Sequence, residues 1–145
     1  MSTLPTRVLG RTGLKVTTLG YGAMEIRDKR MWNGRPVSDR QAETILNAVL
    51  DAGINFIDTS NDYGRSEEFI GRFLAQRRKE YFLATKCGCK VTAGPEKDEN
   101  THEFTRANIL RGVEESLARL KTDCVDLLQL HNPTVEQCQA EDLVQ

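Results

Sequence analysis

The sequence lacks any hydrophobic run long enough to cross a membrane and any strong excess of charge. No segment of the 145 residues approaches the roughly 20 consecutive apolar residues that a membrane-spanning helix needs, and the opening MSTLPTRVLG has no apolar core of signal-peptide length. Lysine and arginine number 20 against 21 acidic residues, so the net charge is −1 and no basic field exists to attract nucleic acid. These absences predict a soluble, cytoplasmic protein that has neither nucleic acid nor a membrane as partner.

Histidine and cysteine are also scarce, which argues against a metal site. His102 and His131 lie far apart, and of the four cysteines only Cys87 and Cys89 are close in sequence. A zinc site typically uses two CxxC-like pairs or histidines at regular ligand spacing. We therefore predict no metal, and ordinary free thiols in a reducing compartment. The C-G-C pair leaves a redox or metal role open as the lesser alternative.

The sequence does contain an alternation of strand-like and helix-like segments. A predicted hairpin around the turn GRTG leads into a strand from about Val16 to Gly22. Three further strand-like runs, NFIDTS, YFLATK and VDLLQLH, each follow a helical pattern. Strands that alternate with helices pair in parallel through right-handed crossovers. The order predicts an α/β protein, and residues 1–145 contain no linker that would divide them into more than one domain.

Three amphipathic segments lie between these strands. The first is predicted to begin after the N-cap Ser38 and to end at Gly53. The second begins at Ser66 and would carry basic residues in its last turn, where the helix dipole favours cations. The third is capped by Thr105 and is predicted to bury one apolar face. The basic residues are Arg77, Arg78 and Lys79, and the apolar face is Leu110, Val113, Leu117 and Leu120.

Each of the last three strands ends on an ionisable residue. The strand ends carry Asp58, Lys86 and His131, and in a parallel sheet these ends lie side by side on the rim where α/β folds place their chemistry. Asp58 and Lys86 are then close enough to pair, which offsets the several kcal/mol that an unpaired buried charge costs. A purely structural ion pair and a hydrogen-bonded core histidine remain the alternative interpretation.

Tyr63, five residues after Asp58, gives this group a chemical use. A phenol is a poor proton donor at neutral pH, but a lysine ammonium stabilises the phenolate and so strengthens the acid. Asp58 would hold Lys86 charged and oriented, and the imidazole of His131 would hydrogen-bond an oxygen on which charge develops. The set suits proton delivery to a carbonyl oxygen.

Three segments make the chain resemble the aldo-keto reductase superfamily. They are INFIDTSNDYGRSEEFIG, FLATK and SLARLKTDCVDLLQLHNP, which match the family's acid–tyrosine, lysine and histidine segments. The resemblance implies a parallel (β/α)8 TIM barrel that reduces aldehydes or ketones by hydride transfer from NADPH, with NADH as a second option.

The resemblance also implies roles for individual residues. Tyr63 would be the general acid, Lys86 the cation that strengthens it, Asp58 the partner of Lys86, and His131 the group that orients the substrate carbonyl. Asp58 would also contact the nicotinamide ribose, and the segment of Gly22, Ala23 and Met24 would line the nicotinamide pocket. Trp32 would contribute to the substrate pocket together with Tyr63 and His131, or would simply cover the barrel mouth.

A (β/α)8 barrel typically needs about 250 residues, so 145 residues would supply an N-terminal half with about four barrel strands preceded by a β-hairpin. Two interpretations follow. The residues belong to an oxidoreductase completed by further polypeptide, or the chain is a truncated, non-catalytic binding or assembly module that retains the site residues. Open strand edges would favour self-association or pairing with a complementary C-terminal half, and we expect the isolated chain to have little activity.

Overall fold

In the computed structural model, which describes residues 4–27, 35–90 and 102–139, the chain begins with a small hairpin. Strands β1 (Thr6–Val8) and β2 (Lys15–Thr17) pair in antiparallel fashion, with Thr6 opposite Thr17. Asn55 ties the hairpin to the rest of the molecule, because its side-chain oxygen accepts a 2.7 Å hydrogen bond from the Thr17 amide. The predicted hairpin is confirmed.

The remaining strands form a four-stranded parallel sheet in the order β3-β4-β5-β6. They are β3 (Tyr21–Gly22), β4 (Phe56–Asp58), β5 (Phe82–Cys87) and β6 (Leu127–Leu130). Consecutive strands are neighbours and run in the same direction, so their carboxyl ends lie on one rim. This arrangement confirms the predicted parallel α/β class.

Helices connect the strands. They are the α-helices α1 (Asp39–Asp51), α2 (Ser66–Phe73), α3 (Arg106–Leu120) and α4 (Val135–Cys138), and two 3₁₀ segments, Ala23–Ile26 and Ala75–Glu80. Ser38 caps α1 in a reciprocal box with Gln41, and Thr105 caps α3 through the Asn108 amide. Gly53 follows the end of α1 with φ +85°, a conformation that favours glycine. The predicted helix starts and the end of α1 are confirmed.

Two predicted element boundaries are wrong. The strand expected from about Val16 to Gly22 is divided, because β2 belongs to the hairpin and only β3 joins the parallel sheet. The basic run does not end α2, which stops at Phe73 before a separate 3₁₀ turn. Arg77 Nη1 instead lies 2.8 Å from Asp51 Oδ1 at the end of α1. The Arg77 side chain is therefore held by an ion pair with α1 and not by the dipole of α2.

The buried face of α3 also differs from the predicted one. Leu120 is buried as predicted, but Leu110 is 46% exposed and Val113 and Leu117 are only half-buried, whereas small or polar residues of α3 are buried. The reason is the close approach of α2: a Cβ added to Gly71 would lie 2.2 Å from the carbonyl oxygen of Arg119. Helices that meet at such a distance leave room only for small side chains. The buried residues of α3 are Asn108, Gly112, Ser116 and Leu120.

The core lies between the sheet and α1 and α2, and its largest members are fully buried. Within the described residues, no helix is both long enough and apolar enough to span a bilayer. None of the four cysteines, all of which are described, forms a disulfide. The fully buried large apolar side chains are Ile26, Leu46, Ile57, Phe69, Ile70, Leu74, Leu83 and Leu120.

Candidate active site

The carboxyl ends of β4 and β5 bring a carboxylate and an ammonium together. The Lys86 Nζ donates hydrogen bonds to Asp58 Oδ2 at 2.6 Å and to the Thr59 carbonyl oxygen at 2.8 Å. The Lys86 side chain is 13% exposed and that of Asp58 is 32% exposed. The lysine is therefore nearly enclosed, while the carboxylate keeps some access to solvent. Asp58 and Lys86 meet as the strand order predicted.

A third strand adds a residue that the sequence analysis missed. Gln129 on β6 lies opposite Lys86 in the strand register, and its amide nitrogen donates to Asp58 Oδ1 at 2.7 Å. Each carboxylate oxygen of Asp58 thus has its own partner. A polar residue in the apolar strand VDLLQLH, two positions before the rim histidine and therefore on the same side of the sheet, is the signal that could have revealed it.

Tyr63 reaches the rim from the connection between β4 and α2. Its amide donates to the Ser60 carbonyl at 3.1 Å, and its own carbonyl accepts from the Ser66 amide at 2.9 Å, so a tight turn fixes the residue just before the helix. The Lys86 Nζ lies 4.8 Å from the centre of the Tyr63 ring. The ring is 9% exposed, so the ammonium contacts a largely dehydrated aromatic group.

His131 follows β6 directly and faces Tyr63. The two rings meet edge to face with centroids 5.8 Å apart, and the His131 amide is anchored to the Cys87 carbonyl at 3.0 Å. Burial, the Lys86 ammonium and the neighbouring His102 lower the pKa of His131 from 6.5 to about 4, against a smaller upward effect of Asp58. The imidazole is therefore neutral at physiological pH.

The Nδ1 atom of His131 has two further neighbours. Ser60 Oγ lies 3.3 Å away and Cys89 Sγ 2.9 Å away. Burial, and next the Asp62 carboxylate, raise the pKa of Cys89 to about 12, so its thiol is protonated. The contact thus joins a neutral ring and a neutral thiol. The sequence pattern predicted an ordinary free thiol at Cys89 and did not indicate its contact with His131.

Comparison with known proteins shows what kind of protein has this arrangement. The model of the aldo/keto reductase family matches residues 18–141. The chain belongs to that family.

Individual relatives agree with the family match. An uncharacterized oxidoreductase of Bacillus subtilis is 36% identical over 132 residues, which cover 90% of this chain and 40% of that protein. An L-galactose dehydrogenase of Arabidopsis thaliana is 34% identical and covers 91% of this chain and 39% of its own length. An aldo-keto reductase of Bacillus halodurans, solved in its holo form, superposes with a TM-score of 0.80 at 35% identity, covering 92% of this chain and 42% of that one.

These proteins extend well past the matched region. The chain spans about two fifths of the length of each of the three. The resemblance to an aldo-keto reductase barrel predicted from the sequence is confirmed, and the described part corresponds to parallel strands of that barrel.

Two residues of the family-like acid–tyrosine segment have structural contacts. The Ser66 hydroxyl lies 2.9 Å from Thr59 Oγ1 and donates to the Ala23 carbonyl at 2.9 Å. Glu67 is buried, accepts from the Thr85 hydroxyl at 2.6 Å and pairs with Arg119 Nε at 2.8 Å. In this member of the family, Glu67 therefore fixes α2 against β5 and α3, and Ser66 fixes the start of α2 against Thr59 and Ala23.

The predicted cofactor segment lies beside the rim. Gly22 is exposed and stands opposite Asp58 in the strand register. Ala23 is fully buried, and Met24 is half-buried in the 3₁₀ turn that follows. Trp32 lies outside the described residues, so its predicted place at the substrate pocket stays a prediction.

Proposed function

We propose that this chain provides the proton-delivering site of an NAD(P)H-dependent carbonyl reductase, with Tyr63 as general acid. The observation that carries the proposal is that two groups contact one phenol and that a carboxylate holds one of the two. The Lys86 ammonium lies 4.8 Å from the ring centre, His131 meets the ring edge to face, and Asp58 pairs with the ammonium.

Lys86 is placed to interact with the negative charge that develops on Tyr63 when it gives up its proton. An ammonium that is nearly enclosed interacts with a developing phenolate through a medium of low dielectric constant, so its stabilising effect exceeds that of a solvated lysine. The Asp58 carboxylate and the Thr59 carbonyl oxygen hold Lys86 in place. Gln129 in turn holds Asp58. The lysine is thereby positioned before any substrate binds.

His131 is suited to orient the carbonyl oxygen. We infer that Nδ1 accepts a hydrogen bond from the protonated Cys89 thiol. A neutral imidazole carries one hydrogen, which this assignment places on Nε2. The Nε2–H can then donate to a substrate carbonyl oxygen. A neutral donor beside Tyr63 also avoids placing a second cation next to Lys86.

The residues present fit the nicotinamide end of the cofactor. A side chain at Gly22 would meet nothing within 4 Å, which indicates open space beside the rim. Asp58 is partly exposed, so its carboxylate retains acceptor capacity for a ribose hydroxyl. When bound, the dihydronicotinamide supplies the hydride. Gly22, Met24 and Asp58 would hold that end, with NADPH the preferred form and NADH the second.

The experiment is a carbonyl reduction assay, followed by oxidation of NADPH or NADH with a simple aromatic aldehyde. It uses the chain alone and a fusion in which the C-terminal part of a relative supplies the remaining length. Tyr63→Phe removes only the hydroxyl and should lower kcat by about 10²–10⁴-fold, while cofactor binding stays near the wild-type value. Tyr81→Phe, at a tyrosine buried in the core, is the matched control and should leave kcat unchanged.

Two results would contradict the proposal. Near-wild-type turnover by Tyr63→Phe would remove Tyr63 from the mechanism. A folded fusion that binds cofactor but reduces no aldehyde or ketone would favour the non-catalytic binding module instead.

A further inference from the structure

Three potential metal ligands converge behind the rim, although the sequence separates them widely. Cys89 follows β5, and His102 forms an antiparallel bridge with it. The bridge is held by the Glu103 amide, which donates to the Gly88 carbonyl at 2.7 Å. A Cβ on Gly88 would lie 2.2 Å from the Phe104 ring, so the two segments are in close contact. This packing brings His102 to the side of His131.

The ligand atoms are close enough to share one ion. One ligand atom each from Cys89, His102 and His131 lie within 4.8 Å of one another. The two imidazoles meet edge to face with centroids 5.4 Å apart. Cys89 is 4% and His131 8% exposed, and His102 is half-buried with its Nε2 atom shielded from water.

His102 supplies an independent observation that points to a ligand. Its Nε2 atom is buried and has no hydrogen-bond partner within the described ranges 4–27, 35–90 and 102–139. Buried polar atoms almost always have partners. The ring is held by stacking on Phe104, with centroids 6.0 Å apart. A cation would satisfy the nitrogen.

The donor set selects the class of cation. One sulfur and two imidazole nitrogens suit Zn²⁺ and other thiophilic metals, whereas Mg²⁺ and Ca²⁺ require oxygen ligands. The Asp62 carboxylate oxygen lies 3.9 Å from His131 Nδ1 and adds negative charge beside the cluster. Three protein ligands would leave one coordination position for water, as in open zinc sites.

We propose that Cys89, His102 and His131 form a binding site for Zn²⁺ or a similar thiophilic divalent cation. Binding replaces the thiol hydrogen by a metal–sulfur bond and releases one proton to solvent. This inference goes beyond the proposed carbonyl reduction and does not depend on it, since the site could bind metal in a chain that reduces nothing.

The test is a titration of the reduced, chelator-treated chain with Co²⁺, which reports thiolate ligation through a sulfur-to-cobalt charge-transfer band. We expect one equivalent to bind with that band and Zn²⁺ to displace it. Cys89→Ser should abolish the band. His102→Gln should weaken binding at least ~100-fold, because loss of an outer partner alone typically costs 10–100-fold. Far-UV circular dichroism verifies that each variant is folded.

Cys87→Ser is the matched control, since Cys87 is also buried but lies outside the cluster, and Cys124→Ser tests an exposed thiol. Both should keep the band. A second readout is the thermal midpoint, which Zn²⁺ should raise in the wild type and in both controls but not in His102→Gln. Absence of a one-equivalent band in the wild type, its retention in Cys89→Ser, or wild-type affinity for Co²⁺ in His102→Gln would overturn the proposal.

Discussion

Two ion pairs in this molecule have the same chemistry but opposite exposure. At the rim, Lys86 is 13% exposed and its partner Asp58 is 32% exposed. Between α2 and α3, the cation Arg119 is 29% exposed and the carboxylate Glu67 only 1%. The helix-layer pair therefore buries its anion, and the rim pair leaves its anion partly accessible. The rim pair thus leaves a carboxylate open to solvent, whereas the buried pair joins α2 to α3.

The largest expected difference comes from removing the cation of each pair. Arg119→Met leaves the Glu67 carboxylate buried, with the Thr85 hydroxyl as its remaining partner, and should lower the free energy of unfolding by about 3–5 kcal/mol. Lys86→Met leaves a carboxylate that still has Gln129 and some water, so we expect a loss of no more than about 2 kcal/mol. Urea denaturation measures both.

Activity should follow the opposite order. In the fusion that supplies the remaining length, Lys86→Met should reduce kcat by at least about 10²-fold, whereas Arg119→Met, assayed below its unfolding transition, should retain most of it. Equal losses of stability, or an inactive but folded Arg119→Met, would mean that the two pairs do not differ in role.

Gly71 tests how closely the helix layer is packed. A Cβ there would meet the Arg119 carbonyl oxygen at 2.2 Å and the Leu120 carbonyl carbon at 2.6 Å, and backbone atoms cannot turn aside as a side chain can. Gly71→Ala should therefore destabilise the chain by about 3 kcal/mol, at the upper end of overpacking costs.

Gly112→Ala is the control, because it makes the same change in the neighbouring helix. Its added Cβ would lie 3.4 Å from Asn61 Nδ2, an ordinary contact, and alanine favours a helix by about 1 kcal/mol over glycine. We expect no loss of stability. A similar loss in both variants would show that the glycines are not distinguished by the approach of α2 to α3.

The residues at the strand ends could be predicted from the sequence, but the close packing of the helices could not. Asp58, Lys86 and His131 each end an apolar strand, and the parallel order that brings such ends together follows from local patterns. Cys89 and His102 meet through a bridge between segments that no periodicity relates. Gly71 looks like any helical glycine until the distance to Arg119 is known. Local patterns therefore predicted which residues meet at the rim. The close approach of α2 to α3 and the contact of Cys89 with the two histidines depend on long-range packing, which no local pattern shows.

A double-mutant cycle sharpens the description of the rim pair as a unit. Asp58→Asn and Lys86→Met should each reduce kcat/KM, and the double variant should lose less than the sum, with a coupling free energy of about 2 kcal/mol. The physical reason is that either single change already removes the ion pair between the two side chains.

Asp58→Asn combined with Ser38→Ala is the additive reference, because the side chain of Ser38 bonds within the cap of α1, on a different element from Asp58. In this reference the two free-energy changes should add within about 0.5 kcal/mol. If the changes for Asp58→Asn and Lys86→Met also add within that margin, the two residues do not act as a unit.

The smallest expected effect is that of Gln129, whose side chain acts on the rim pair through its hydrogen bond to Asp58. Gln129→Met keeps the length of the side chain and removes the 2.7 Å hydrogen bond to Asp58 Oδ1. Loss of one hydrogen bond to a charged group should cost about 1.5 kcal/mol of stability, and a less firmly held Asp58 should lower kcat several-fold with little change in KM. Gln76→Met makes the same change at an exposed position and should shift stability by less than about 0.5 kcal/mol. If the two variants behave alike in urea denaturation and in the assay, Gln129 does not position Asp58. The position of the Asp58 carboxylate would then depend on Lys86, which the Thr59 carbonyl oxygen also holds.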